Sequence, residues 1–267
     1  MTGSTLLKEV FSEGRVALVP YLTAGYPTLE GAYEVGEAYV EAEADVVEIG
    51  VPFSDPLADG PTIQDTTTRA LKNGATLEYS LELASHFADR APVVLLIYYN
   101  NVFARGAEGF LEEAAGARVS GLVIPDLPID EAEDFREMAA ERGIAICPLA
   151  APTTTDDRLD RIARVASGFV YCVSVAGVTG AREELPPGAI ELLRRVRARV
   201  SVPVVLGFGI SSAEVAAEAA EVADGVTIGS KLMQIVADEG AEGAGAWLRE
   251  VRSALDRTNS VKMGSRD

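Results

Sequence analysis

Residues 44–61 read ADVVEIGVPFSDPLADGP, and the first eight of them set the architecture. Alternation along a strand puts Val46, Glu48 and Gly50 on one face and Val47, Ile49 and Val51 on the other. Apolar β-branched residues on both faces mark a strand covered on both sides, as in a parallel sheet flanked by helices. The strand runs into a loop over 52–61, stiffened by prolines and a glycine and carrying Asp55 and Asp59, and then into helical patterns over 63–73 and 77–89.

The same alternation of short apolar runs with amphipathic stretches fills the chain. Strands are expected at 16–22, 45–51, 93–99, 121–126, 145–150, 168–174, 204–208 and 225–228. Helical patterns between them include 28–43, 129–142 and 211–221, with Thr28, Asp130 and Ser211 as caps. Eight βα units in 267 residues have the size and rhythm of an α/β fold of the (β/α)8 TIM barrel type. A single domain spanning 1–267 is expected, with the helices after the second strand as additions and a frayed polar tail at 257–267. A doubly wound open sheet fits less well, because no GxGxxG follows the first strand.

Composition narrows the function. Asp plus Glu number 41 against 23 Lys plus Arg, a net charge of −18, so neither nucleic acid nor an anionic membrane is an expected partner. Only Lys8, Lys72, Lys231 and Lys262 among the basic residues are lysines, and with the acidity this points to adaptation to high salt; a genome biased toward Ala, Arg and Gly codons would explain the arginines but not the net charge. Cys147 and Cys172 lack the spacing of a disulfide framework or a zinc site and fit a reducing compartment. His86 is the single histidine, which removes Ser-His catalysis and multi-imidazole metal sites and leaves carboxylates, tyrosines and backbone groups. No metal is expected. The N-terminus has no apolar signal region and no run approaches a membrane span, so a cytoplasmic location is expected.

In a (β/α)8 barrel, chemistry sits at the C-terminal ends of the strands. Glu48 on a doubly covered strand is either a structural carboxylate held by an arginine or a capping donor, or a proton carrier whose pKa is raised by burial. Asp59 and Asp55 on the following loop offer a second carboxylate over the same pocket, or else plain turn residues. Tyr171, Tyr98 and Asn100 stand at strand ends where a polar group can reach a ligand. Glycines at 177–180, at 207 and 209 and at 229 with Ser230 end the last three strands, where backbone N–H groups at helix starts receive phosphate. The segment 175–187, with Thr179 and Gly180, is long enough to act as a lid. No specific role is expected of His86 or of a Schiff base at Lys231.

The string VPFSDPLADGPTIQ at 51–64, preceded by Glu48-Ile49-Gly50, resembles the signature of the tryptophan synthase alpha chain family. The resemblance continues through 19–25, 125–128, Tyr171 with Ser174, 177–180, 207–211 and 229–230, nearly the whole chain. It implies a (β/α)8 barrel that cleaves indole-3-glycerol phosphate by a retro-aldol reaction in the last steps of L-tryptophan biosynthesis, with no cofactor in this chain. By position, Glu48 would carry both proton transfers, Asp59 would hold the indole N–H, and Tyr171 would line the pocket. Gly180, Gly207, Phe208, Gly209, Gly229 and Ser230 would hold the phosphate. The family implies an αββα complex in which indole passes to a pyridoxal-phosphate beta chain, with the 52–61 and 175–187 loops facing that partner. Val175 departs from the arginine found there in some members, which bears on lid closure and not on the carboxylate pair. A different phosphate-binding barrel would have no reason to pair Glu48 with this loop, and a non-catalytic activator of the beta chain would be free to lose either carboxylate.

Overall fold

The structure is a computed structural model that describes residues 2–173, 185, 187–207 and 209–264. Among the described residues there are nine parallel strands: β1 Ala17–Thr23, β2 Val47–Gly50, β3 Val93–Leu96, β4 Val119–Val123, β5 Ala145–Ile146, β6 Leu149–Ala150, β7 Val170–Val173, β8 Val204–Gly207 and β9 Gly225–Ile228. Their order is β5-β4-β3-β2-β1-β9-β8-β7-β6. The two outer members are halves of one expected strand, 145–150, interrupted at Pro148, which has no N–H to give the ladder. The interruption does not open the sheet. Cys147 N donates to Leu122 O on β4 at 2.9 Å, and Tyr171 N on β7 donates to Pro148 O at 2.9 Å. The sheet therefore closes on itself as an eight-stranded barrel, as expected.

Helices cover the outside: α1 Gly3–Ser12, α2 Leu29–Glu41, α3 Pro61–Lys72, α4 Leu77–Phe87, α5 Tyr99–Arg105, α6 Ala107–Gly116, α7 Glu133–Glu141, α8 Asp156–Val165, α9 Pro187–Arg197, α10 Ala213–Ala220 and α11 Ser230–Gly264. Thr28 caps α2 through its hydroxyl, which accepts from Gly31 N at 2.9 Å. Two expected caps differ. Ser212 rather than Ser211 accepts from Val215 N at the start of α10. Asp130 lies in a 3-10 turn, Ile129–Glu131, separated from α7 by Ala132, and pairs instead with Arg158 and Arg161. The last helix breaks at Gly240, where φ is +70°, and its backbone runs on to Gly264.

Alternation along the strands divides the core in two. Outward residues such as Leu18, Leu22, Ile49, Leu95 and Leu206 pack under the helices. Inward residues Ala17, Val19, Val46, Val94, Val123, Phe169 and Val205 fill the lumen. Helix α1, absent from the sequence reading, closes the N-terminal end of the barrel: Leu7 is fully buried and joins the lumen cluster, with Val10 and Phe11 against it. Burial of a leucine of this kind contributes about 2–3 kcal/mol. On the same side, buried Asp45 accepts from Leu18 N at 2.7 Å and from Arg252 Nη1 at 2.9 Å and pairs with Arg15, while Arg252 also meets Val16 O. This tie fixes the C-terminal helix beneath β1, and removing one partner of such a buried pair costs about 3–5 kcal/mol. The opposite mouth of the barrel is left for polar groups. Among the described residues, no helix is long and apolar enough to cross a membrane.

Candidate active site

Above the apolar floor of the lumen, β1 and β2 pair in register so that Tyr21 stands beside Glu48, and Tyr171 and Thr227 complete the polar layer from β7 and β9. Glu48 is 1% exposed. Among the described residues, neither of its carboxylate oxygens finds a hydrogen-bond partner, and none of their arginines holds it. Burial, reinforced by the charge of Asp59, pushes its pKa up to about 8, and the Tyr171 hydroxyl, nearby but outside hydrogen-bond contact, pulls it partly back.

Asp59 reaches the site from the loop between β2 and α3. The loop is held in place: Ala58 N donates to the Tyr98 hydroxyl at 2.9 Å, Phe53 stacks on Tyr98 with ring centres 5.2 Å apart, and Gln64 Nε2 donates to Asp59 O at 2.8 Å. Partial burial raises the Asp59 pKa to about 6, against a hydrogen bond with Tyr98 that lowers it. Over the interval between about 6 and about 8, Glu48 is neutral and Asp59 is charged, one proton donor beside one anion. Asp55, by contrast, is exposed and bonded to the Ser54 hydroxyl, outside the pocket.

Two glycines make the polar layer possible. A Cβ on Gly50 would fall 2.0 Å from the Tyr21 hydroxyl, and one on Gly207 would fall 2.1 Å from the Tyr171 ring. Gly209, at φ +90°, turns the chain between β8 and α10. Gly229 ends β9 immediately before Ser230 opens α11, so these residues lie at the mouth of the barrel beside two helix N-termini. Phe208, Thr179, Gly180 and Val175, with most of the 175–187 segment, lie outside the described residues.

Tyr98 joins the site, whereas Asn100 is exposed on α5. His86 has a partner: its Nε2 lies 2.7 Å from Glu37 Oε1, in a surface cluster with Arg90. The sequence reading missed Tyr21, Thr23 and Thr227 as pocket residues. The alternation over 17–23, which turns Ala17, Val19, Tyr21 and Thr23 the same way, was the signal for the first two.

The family profile of the tryptophan synthase alpha chain matches residues 7–260. The tryptophan synthase alpha chain of Synechococcus elongatus is 45% identical over 249 residues, 92% of this chain and 94% of that one. That of Xanthomonas oryzae pv. oryzae is 47% identical over 258 residues, 93% and 96% of the two chains. Among solved structures, Mycobacterium tuberculosis tryptophan synthase in space group F222 superposes with a TM-score of 0.88 at 34% identity, covering 94% of this chain and 96% of that one. With the closed barrel, the buried Glu48 and the Asp59 loop, these matches mean that the chain belongs to the tryptophan synthase alpha chain family.

Proposed function

We propose a division of labour for the alpha reaction, the retro-aldol cleavage of indole-3-glycerol phosphate to indole and glyceraldehyde 3-phosphate. Protonated Glu48 gives its proton to indole C3, which turns the ring into an iminium-like electron sink. The resulting Glu48 carboxylate takes the proton of the hydroxyl on the carbon attached to the ring. That carbon becomes the aldehyde, the carbon-carbon bond breaks, and its electron pair returns to the ring. Glu48 ends protonated, ready for another cycle. Asp59, ionised, accepts the indole N–H and stabilises the positive charge that develops on the ring. Tyr171 lines the pocket beside Glu48 and tempers its basicity.

The phosphate is assigned to Gly180, Gly207, Phe208, Gly209, Gly229 and Ser230; in its favour are the starts of α10 and α11 beside the last two strands. The alpha reaction uses no cofactor in this chain, and pyridoxal phosphate belongs to the beta chain. An αββα complex with that beta chain in the cytoplasm is the assembly we assign, with Leu57 and Phe103 as docking residues. These two side chains are 93% and 74% exposed and lie on the 52–61 loop and on α5, both at the open end of the barrel.

The observation that carries this reading is the fully buried carboxylate of Glu48, unpartnered among the described residues, with Asp59 brought over it by the following loop. An activator of the beta chain without chemistry of its own has no use for it. Purified chain mixed with indole-3-glycerol phosphate, with and without beta chain, should release indole, and Asp59→Asn should lower the rate at least 100-fold while remaining folded. A folded wild-type chain that releases no indole in either mixture would overturn the reading.

A further inference from the structure

A chain of hydroxyls runs down one side of the pocket, and its anchor on a backbone carbonyl favours one direction. Thr66 Oγ1 donates to Ile63 O at 2.9 Å, an atom that can only accept. With its one proton on that carbonyl, Thr66 is the acceptor in its 2.8 Å contact with Thr23, and Thr23 is the donor. Thr23 in turn has no proton left for Tyr21, 3.2 Å away, and so accepts from the phenol. Met233 Sδ, 3.8 Å from Thr23, is a weak acceptor that does not compete with an oxygen at 2.8 Å. Tyr21 therefore spends its proton inside the wall and presents only a lone pair to the pocket.

The position of this lone pair is set by its neighbours. Tyr21 is the register partner of Glu48, and its phenol occupies the space left by the missing side chain of Gly50. On its other side the ring is 3.7 Å from where a Cβ of Gly229 would stand. Tyr21 thus lies between the proton carrier and the glycine assigned to the phosphate. In indole-3-glycerol phosphate that interval is occupied by the glycerol carbons. Of the two chain hydroxyls, the one on the ring-bearing carbon is taken by Glu48.

Resting on the function proposed above, we infer that the Tyr21 phenol oxygen accepts a hydrogen bond from the middle-carbon hydroxyl of indole-3-glycerol phosphate and so selects a hydroxylated chain over a plain alkyl one. A site built to bond a hydroxyl leaves its own acceptor unpaired when that hydroxyl is absent.

The test compares wild type, Tyr21→Phe and Thr66→Val on two compounds: indole-3-glycerol phosphate, and indole-3-propanol phosphate, which has the same ends and neither hydroxyl. Tyr21→Phe should raise KM for indole-3-glycerol phosphate about five- to tenfold with kcat within threefold, and leave the Kd of indole-3-propanol phosphate within twofold. Thr66→Val touches no ligand but frees Thr23 to turn its proton on Tyr21, which reverses the polarity of the phenol. Because a substrate hydroxyl accepts as well as donates, this variant should keep KM for indole-3-glycerol phosphate within twofold. If Tyr21→Phe does not fold, wild type carries the test by binding an analogue that lacks only the middle hydroxyl about five- to tenfold more weakly than indole-3-glycerol phosphate. Equal changes for both compounds in Tyr21→Phe, or none for either, or equal binding of that analogue, in a wild type that releases indole would overturn this inference alone. A folded wild type that releases no indole would overturn it together with the proposed function.

Discussion

A Cβ on Gly207 would lie 2.1 Å from the Tyr171 ring and 2.6 Å from its hydroxyl oxygen, so the glycine at the end of β8 is what lets Tyr171 lie beside Glu48. Gly207→Ala should therefore displace the ring, lower stability by about 1–3 kcal/mol in denaturant titrations and reduce kcat/KM at least tenfold. Gly229→Ala is the control for stability, since its Cβ would meet nothing closer than 3.7 Å and its midpoint should stay near that of wild type.

The two carboxylates define a pH window. Asp59 must be ionised, so activity should fall as the pH drops through about 6; Glu48 must begin protonated, so activity should fall as the pH rises through about 8. A bell-shaped profile of kcat/KM is expected for the isolated chain. Tyr98→Phe removes a hydrogen bond that favours the Asp59 carboxylate, so its acid limb should move to higher pH and narrow the bell. An acid limb unmoved in that variant would detach Tyr98 from Asp59.

Most of the barrel is readable from the regular succession of short, β-branched apolar runs and longer amphipathic stretches, since run length and β-branched content separate the strands from the helices. What escapes is set by atoms outside the pattern. Pro148 splits the fifth strand without opening the barrel, since Cys147 N and Pro148 O keep its neighbours bonded. Helix α1 has no side-chain cap and only three turns, yet Leu7, Val10 and Phe11 at helical spacing were its trace. Glu48 and Asp59 were readable as candidates because a carboxylate on a doubly covered strand and a proline-stiffened loop are both conspicuous. Tyr21 and Thr227 were not singled out, because a tyrosine or threonine in a strand has an ordinary place in the core. Only the closed barrel brings Tyr21, Glu48, Tyr171 and Thr227 to one level.

Leu57 and Phe103 expose large apolar side chains at the mouth of the barrel. Leu57→Ser and Phe103→Ser should each weaken beta-chain binding about tenfold or more, measured by titration calorimetry. The Phe103 variant should retain the lyase rate of the isolated chain within twofold. Unchanged binding in both would place the beta chain elsewhere.

A net charge of −18 is self-repulsive in dilute buffer. Screening at about 1 M KCl, where the Debye length is about 3 Å, should relieve it and raise the melting temperature by several degrees. A melting temperature that is flat or falls with KCl would remove the reading of adaptation to high salt.

The central claim is that one buried carboxylate moves both protons, and Glu48→Gln tests it most directly. Glutamine keeps the shape and cannot carry a proton. Single-turnover release of indole from indole-3-glycerol phosphate should fall about 10²- to 10⁴-fold. Stability should rise, most at high pH, because wild type loses about 1.4 kcal/mol per pH unit as the pH climbs from 4.5 toward about 8 while its buried carboxyl stays protonated and the unfolded one does not. A Glu48→Gln chain that is folded and releases indole within tenfold of the wild-type rate would contradict the account.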